Sequence, residues 1–127
     1  MKSLDTNIII RFLLRDVPNQ SARAIALVAG GHCYVTDVIV TETVFVLEKV
    51  YKAPRDRIAF SLGSFMSLPS VVSNAELFAD VFELYQAQPS LSIIDCYAAV
   101  EAGSSNSTFV TFDKKLLRHG GTHVEAP

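Results

Sequence analysis

The sequence lacks the features of several protein classes. None of its apolar runs approaches the roughly 20 uninterrupted residues of a membrane-spanning helix, and a composition of 50% hydrophobic and 19% charged residues excludes intrinsic disorder. The apolar run near the N-terminus is broken by Asp5 and Arg11 and lacks the small-residue cleavage pattern of a secretory signal. We therefore expect a soluble, cytoplasmic protein that does not contact a membrane.

Cysteine and histidine are scarce as well. Cys33 and Cys96 each lie in an apolar segment without metal-ligand spacing, so we expect buried, reduced thiols rather than a disulfide. The three histidines, His32, His119 and His123, are scattered and form no ligand set for structural zinc. We therefore expect no domain stabilised by zinc or by a disulfide.

The chain has no excess of basic residues. Thirteen acids against eleven lysines and arginines give a net charge of −2, which is unusual for a protein that binds nucleic acid through its phosphates. If four carboxylates are metal ligands, however, the rest of the chain is net positive, and a bound cation adds positive charge at the site. The net charge therefore leaves the class of partner open.

Short apolar strands alternate with helical patterns along the chain. The patterns predict strands over residues 2–5, 32–36, 70–73, 108–111 and 122–124. They predict helices over residues 6–15, 20–29, 37–51, 55–68, 75–87, 93–102 and 114–119. No repeat, linker or low-complexity segment interrupts them, so we expect one domain over residues 1–127. The alternation predicts the α/β fold class, with a mostly parallel sheet covered by helices on both faces.

Three details of this prediction concern packing and capping. The helix over residues 37–51 is apolar on nearly all sides, so we expect it to be buried between other elements. The aromatic residues Phe12, Phe45 and Tyr97 fall on core-like stripes, which favours interior packing over stacking on bases. Thr6 or Asn7 is expected to cap the first helix.

Four acids stand where an apolar core would not place them: Asp5, Glu42, Asp95 and Asp113. Asp5 and Asp113 each follow a predicted strand, and the carboxyl ends of parallel strands share one edge of a sheet. Glu42 and Asp95 lie in the first turns of apolar helices. Each acid has a structural alternative. Asp5 suits a helix N-cap or an Asx turn, Asp113 suits a turn, Glu42 suits a helix dipole, and Asp95 suits a capping box with Ser92.

A cluster of these carboxylates would need a cation. Two carboxylates about 4 Å apart repel by roughly 4 kcal/mol at an effective dielectric constant near 20, and protonation is the only other relief. Hard oxygen ligands in an open cluster suit Mg²⁺ or Mn²⁺. Such an ion lowers the pKa of a bound water and neutralises charge on a phosphoryl group. We therefore expect phosphodiester hydrolysis with the four acids as catalytic metal ligands.

Further polar residues lie beside these acids in the sequence. We expect Thr6, Asn7 and Thr111 to orient ligands or waters, with capping or strand filling as the alternative. Among the basic residues, Arg11 and Lys114 follow site acids closely, so we expect them to contact an RNA backbone.

The segments that carry the four acids form a recognisable set. LDTNIIIRFLLRDVPNQ, TETVFVLEKVY, IIDCYAAVEA and FVTFDKKLL resemble the four sequence blocks of the PIN domain, in particular those of the VapC toxins of bacterial type II toxin–antitoxin systems. The resemblance implies a three-layer α/β/α sandwich with a central, mostly parallel sheet. It also implies a Mg²⁺- or Mn²⁺-dependent endoribonuclease whose acidic quartet falls on the same four acids. An RNA substrate, a cognate antitoxin protein and a homodimer are implied with it.

Some residues depart from the family pattern, and two other functions stay open. Cys96 and Tyr97 follow the third acid where small or aliphatic residues are commoner, which bears on substrate fit. A phosphatase with Asp5 as nucleophile would want a second acid at the position of Asn7. A catalytically silent PIN-fold module that binds RNA or a protein partner is the main alternative.

Overall fold

The computed structural model describes all 127 residues of the chain. The chain forms two compact units, Met1–Ala75 and Glu76–Pro127. In chain order the first unit contains β1 (Lys2–Ser3), α1 (Thr6–Leu14), α2 (Pro18–Ala29), β2 (Cys33–Tyr34), α3 (Asp37–Lys49), α4 (Arg55–Met66) and β3 (Val71–Val72). The second unit contains nearly all of α5 (Ala75–Ala87), then α6 (Ile93–Ser104), β4 (Phe109–Val110), α7 (Lys114–His119) and β5 (Val124–Glu125).

Every strand pair is parallel. In the first unit β2 lies between β1 and β3, and helices provide the crossovers that parallel strands require. In the second unit β4 pairs with β5, with Phe109 opposite Val124. The α/β fold class with parallel strands is therefore confirmed. The pairs form two sheets, one in each unit, and the single domain stays a prediction.

The strands are shorter than predicted, although their hydrogen bonds reach beyond them. The amide of Leu4 donates to the carbonyl of Tyr34 at 2.9 Å, and that of Val35 donates to Val72 at 3.0 Å. Leu4 and Val35 are buried at these ends. The predicted ranges thus include residues just beyond the strands, such as Leu4 and Val35, which form one further hydrogen bond each to the neighbouring strand.

The ends of α1 and α2 correct two predictions. Asp5, rather than Thr6 or Asn7, is the N-cap residue of α1, and Thr6 is the first helical residue. Helix α2 begins at Pro18 instead of residue 20, because proline has no amide hydrogen and its fixed φ suits the first helical position.

The prediction that α3 is buried between other elements is wrong, because one side of the helix faces solvent. Val40, Val44 and Leu47 form its buried face, whereas Val38 is 72% exposed and Phe45 is 55% exposed. An apolar sequence on every side therefore did not mean burial on every side, and the expectation that Phe45 packs in the interior fails with it.

The predictions that Phe12 and Tyr97 pack against interior side chains and that both cysteines are buried are confirmed. The ring of Phe12 packs edge-on against Phe65 at 5.2 Å between centroids, and Tyr97 packs against Phe78 at 5.5 Å. Both cysteines are buried, and neither forms a disulfide. None of the helices combines the length and the apolar character that crossing a membrane requires.

Candidate active site

Asp5 occupies the junction between β1 and α1. Its carbonyl accepts hydrogen bonds from the amides of Ile8 and Ile9, at 3.1 and 3.3 Å, which starts the helix. Its carboxylate makes no capping hydrogen bond and is exposed. An acid that only served as a cap would use its side-chain oxygen on these amides. The backbone carbonyl of Asp5 therefore fills the predicted capping position, whereas its carboxylate forms no hydrogen bond that would stabilise the helix start.

The side chain of Glu42 is held by Thr6, which is the first residue of α1 and directly follows Asp5. The hydroxyl of Thr6 donates a hydrogen bond to Glu42 Oε1. Thr6 is only 4% exposed, so the donor is fixed in the protein while the carboxylate that it holds is exposed. The side chains of Glu42 and Asp5 are thus both located at the start of α1, where Asp5 is the N-cap residue and Thr6 binds Glu42.

Thr43 completes this polar group, and sequence reasoning missed it. Its hydroxyl donates to the carbonyl of Ile39 at 2.7 Å and lies 3.5 Å from Thr6 Oγ1. Thr43 is fully buried. The only signal in the sequence is a polar residue on the buried side of an apolar helix, and that signal does not reveal its neighbour on α1.

The helix-dipole alternative does not account for Glu42. Helix α3 begins at Asp37, which supplies the acid of the first turn, and Thr36 caps the helix by accepting from the amide of Ile39. The dipole acts mainly within the first turn, and Glu42 lies beyond it. The position of Glu42 therefore needs another explanation than favourable charge at a helix start.

Asp95 forms the predicted capping box with Ser92. The amide of Ser92 donates to Asp95 Oδ2 at 3.1 Å, and the amide of Asp95 donates to Ser92 Oγ at 3.1 Å. This structural role is therefore real. Because Oδ1 has no hydrogen-bond partner, the carboxylate can still offer one oxygen to another ligand.

Asp113 is the N-cap residue of α7. Its Oδ1 accepts from the amides of Lys115 and Leu116 at 2.8 and 3.3 Å. Thr111 Oγ1 in turn accepts from the amide of Asp113 at 3.0 Å, so Thr111 supports the loop that presents the acid. As at Asp95, one carboxylate oxygen is used for capping and the other has no hydrogen-bond partner.

The basic residues predicted beside the site differ in their surroundings. Arg11 forms an ion pair with Asp16 at 2.6 Å and contacts the hydroxyl of Tyr51 at 3.4 Å. The hydrogen bond raises the pKa of Arg11 and lowers that of Asp16 below its ordinary value of 3.8. Lys114 is exposed and forms no ion pair. Arg11 therefore already has two side-chain partners, Asp16 and Tyr51, whereas Lys114 has no ion-pair partner.

The chemistry of the four acids fits a divalent cation. None of them forms an ion pair with Lys, Arg or His, and each keeps at least one carboxylate oxygen without a partner. Asp5 and Glu42 lie in the first unit and Asp95 and Asp113 in the second. Within each unit, no three His, Cys, Asp or Glu side chains form a group that could hold a metal ion. In the first unit, Glu42 accepts a hydrogen bond from Thr6, the residue that follows Asp5. In the second unit, Asp95 and Asp113 form hydrogen bonds with different residues.

Residues 2–121 match the family model described as PIN domain. The matched range includes all four acids as well as Thr6, Asn7 and Thr111. No curated protein matches the chain. PIN domains have a nuclease-type fold, and they are generally metal-dependent nucleases that bind RNA and use Mg²⁺ or Mn²⁺.

Proposed function

Because the chain belongs to the PIN domain family, we propose that it is a Mg²⁺- or Mn²⁺-dependent endoribonuclease that hydrolyses RNA phosphodiester bonds. Asp5, Glu42, Asp95 and Asp113 are the proposed metal ligands. The observation that carries this proposal is the hydrogen bond from Thr6 to Glu42 beside Asp5. It places the carboxylate of Glu42, which has no ion-pair partner, beside Thr6, the residue that directly follows Asp5.

The residues of the chain have distinct tasks in this reaction. Thr6 holds one oxygen of Glu42, so the other oxygen is oriented before a metal ion arrives. The capping amides at Asp95 and Asp113 hold one oxygen of each acid in the same way. A bound Mg²⁺ or Mn²⁺ ion would supply Lewis-acid polarisation of the phosphate and a more acidic attacking water. The protein thus contributes oriented oxygen ligands and the groups that hold them in place.

The resemblance of the sequence blocks to VapC toxins supports a more specific role. We propose that the protein is the toxin of a toxin–antitoxin pair, that it works in the cytoplasm as a homodimer, and that a cognate antitoxin protein inhibits it. A neighbouring gene that encodes a small DNA-binding protein would support this role. Co-purification of that protein with this chain, and loss of RNA cleavage in the complex, would test it.

The proposed activity is tested with purified protein and a structured RNA. Asp5→Asn and Glu42→Gln each remove a carboxylate with little change in shape, and Asp80→Asn removes an exposed acid of α5 as the matched control. We expect RNA cleavage with Mn²⁺ to fall by about 100-fold or more in the first two variants. Asp80→Asn should cleave like the unmodified protein, and chelation of the metal should stop cleavage in all of them.

Two outcomes would contradict the proposal. Unchanged cleavage by Asp5→Asn and Glu42→Gln would exclude the proposed metal ligands. RNA binding that is insensitive to metal, without cleavage of any tested RNA, would instead favour the catalytically silent binding module. The capping roles of Asp95 and Asp113 are compatible with that module, since a helix cap needs no metal. Circular dichroism of each variant separates loss of chemistry from loss of fold.

A further inference from the structure

A cleft of about 500 Å³ lies between α1 and α2 in the first unit. Helix α1 contributes Asn7, Ile8 and Arg11, and helix α2 contributes Gln20, Arg23 and Leu27. Its volume falls within the range of sites that bind small molecules or single groups of a larger ligand. We refer to it as the α1–α2 cleft.

The α1–α2 cleft is positively charged. Two arginines line it, and no acidic side chain does. Asp16 neutralises Arg11, whereas Arg23 is exposed and forms neither an ion pair nor a side-chain hydrogen bond. An arginine without a partner on the wall of a cleft suits a phosphate, because its planar group of N–H donors matches phosphate oxygens.

The remaining wall of the cleft suits the rest of a nucleotide. Ile8 and Leu27 provide apolar surface on which a base can lie. The side-chain amides of Asn7 and Gln20 can each donate and accept hydrogen bonds, as the edges of bases and the ribose 2′-hydroxyl require. The cleft therefore combines one arginine without an ion-pair partner, Arg23, with an apolar wall and two side-chain amides.

The position of the cleft connects it with the proposed active site. Asn7 lies two residues after Asp5 at the start of α1, and Arg11 lies one helical turn further along the same face. A strand of RNA whose phosphate is at Asp5 would therefore have a neighbouring nucleotide beside Asn7. No metal ligand is needed to hold that nucleotide.

We propose that the α1–α2 cleft binds the substrate nucleotide next to the cleaved phosphate. In this arrangement Arg23 contacts the RNA backbone, and Asn7 and Gln20 form hydrogen bonds with the base or ribose. The inference rests on the proposed nuclease function and specifies where its RNA lies. It assigns the main backbone contact to Arg23, which sequence reasoning did not single out, instead of to Arg11.

The test measures RNA binding without cleavage. A fluorescent single-stranded RNA of random sequence is titrated with the full chain in the presence of a chelator. The variants are Arg23→Gln, Arg23→Lys and, as the matched control, Arg57→Gln, which removes an exposed arginine of α4 that has no ion pair. Thermal unfolding of each variant monitors the fold.

We expect Arg23→Gln to bind the RNA about tenfold more weakly at low salt. The slope of log affinity against log salt should decrease by about 0.7 in magnitude, as expected for one lost phosphate contact to a single strand. Arg23→Lys should recover much of the affinity because it keeps the charge. Arg57→Gln should stay within about twofold of the unmodified protein, since a solvated charge outside the cleft makes no phosphate contact.

The outcomes distinguish this inference from the proposed function. Equal binding by Arg23→Gln and Arg57→Gln, in a protein that cleaves RNA with Mn²⁺, would exclude the cleft as the RNA site and leave the nuclease proposal standing. That result would also be expected if the cleft held an acidic protein segment. Weaker binding by Arg23→Gln alone, in a protein that cleaves nothing, would support the RNA site and contradict the nuclease proposal. A protein that binds no RNA would overturn both.

Discussion

Thr6 and Glu42 are joined by a hydrogen bond although 36 positions separate them in the sequence. The donor is buried and the acceptor is exposed, so the bond fixes one oxygen of a carboxylate that otherwise reaches into solvent. Thr43 is buried beside Thr6, and its hydroxyl donates its hydrogen bond to the carbonyl of Ile39. The orientation of Glu42 therefore depends on the single hydroxyl of Thr6.

Replacement of Thr6 by valine should lower activity without unfolding the protein. Valine has nearly the shape of threonine, so the packing is kept while the hydrogen bond to Glu42 is lost. We expect RNA cleavage or apparent Mn²⁺ affinity to fall by about 10- to 100-fold, measured as initial rates over a series of Mn²⁺ concentrations. Thr6→Ser restores the hydroxyl and should recover most of the activity. An active Thr6→Val protein would show that Glu42 needs no support.

Asp113 combines a structural role with a proposed chemical one, and two substitutions separate them. Asn can still accept from the amides of Lys115 and Leu116, so Asp113→Asn should keep the stability of the protein. Asp113→Ala removes the cap and should lower the free energy of unfolding by about 1 kcal/mol. Both should lose RNA cleavage if the charge binds metal. Urea denaturation and cleavage assays on the same samples check this, and an active Asp113→Asn protein would restrict Asp113 to capping.

Ser92→Ala tests the capping box of α6. The change removes the oxygen that accepts from the amide of Asp95 but leaves the Asp95 carboxylate in place. We expect a loss of about 1 kcal/mol in the free energy of unfolding. The exposed Ser90 is the matched control, and Ser90→Ala should change stability by less than about 0.5 kcal/mol. Equal effects of the two substitutions in urea denaturation would contradict a special role of Ser92.

The ion pair between Arg11 and Asp16 should make stability depend on pH in the acid range. The hydrogen bond from Arg11 lowers the pKa of Asp16 below 3.8. The contribution of the pair is therefore complete above the unfolded-state pKa and is lost as pH falls through the lower folded-state pKa. Asp16→Asn should destabilise the protein slightly at neutral pH and hardly at all in strong acid, because the pair is exposed.

Urea denaturation of the unmodified protein and Asp16→Asn across this pH range provides the measurement. Arg11→Gln serves as the background control, since in that variant the effect of Asp16→Asn should no longer change with pH. A difference between the two proteins that grew as pH fell would contradict the lowered pKa of Asp16.

The elements could be predicted where local signals agree. The bounds of α5 and α7 match their predicted ranges, and α7 starts directly after its capping acid, Asp113. The strands were predicted too long because an apolar residue such as Val35 looks the same whether it forms a ladder pair or follows one. The start of α2 was predicted at residue 20, two residues late, because the helical pattern was read from residue 20 although proline at position 18 is well suited to begin a helix.

Sequence patterns indicated the candidate acids but not the contacts around them. The four acids stood out because charge is unexpected beside apolar strands and helices, and the capping alternative at Asp95 was visible in the spacing from Ser92. The contact between Thr6 and Glu42 was not predictable, since no local pattern indicates which side chain of α3 meets the first residue of α1. Arg23 was missed because a lone arginine on a polar helix face resembles any solvated charge.

The sequence by itself determined the alternation of parallel strands and helices, the positions of the four acids at the ends or starts of those elements, and the PIN family. These properties depend on the identity and spacing of neighbouring residues. Only the tertiary structure decided that Thr6 holds Glu42, that Asp16 neutralises Arg11, that Phe45 faces solvent and that Arg23 lines a cleft. Each of these depends on how distant helices pack, because packing alone sets which side chains meet and which remain in water.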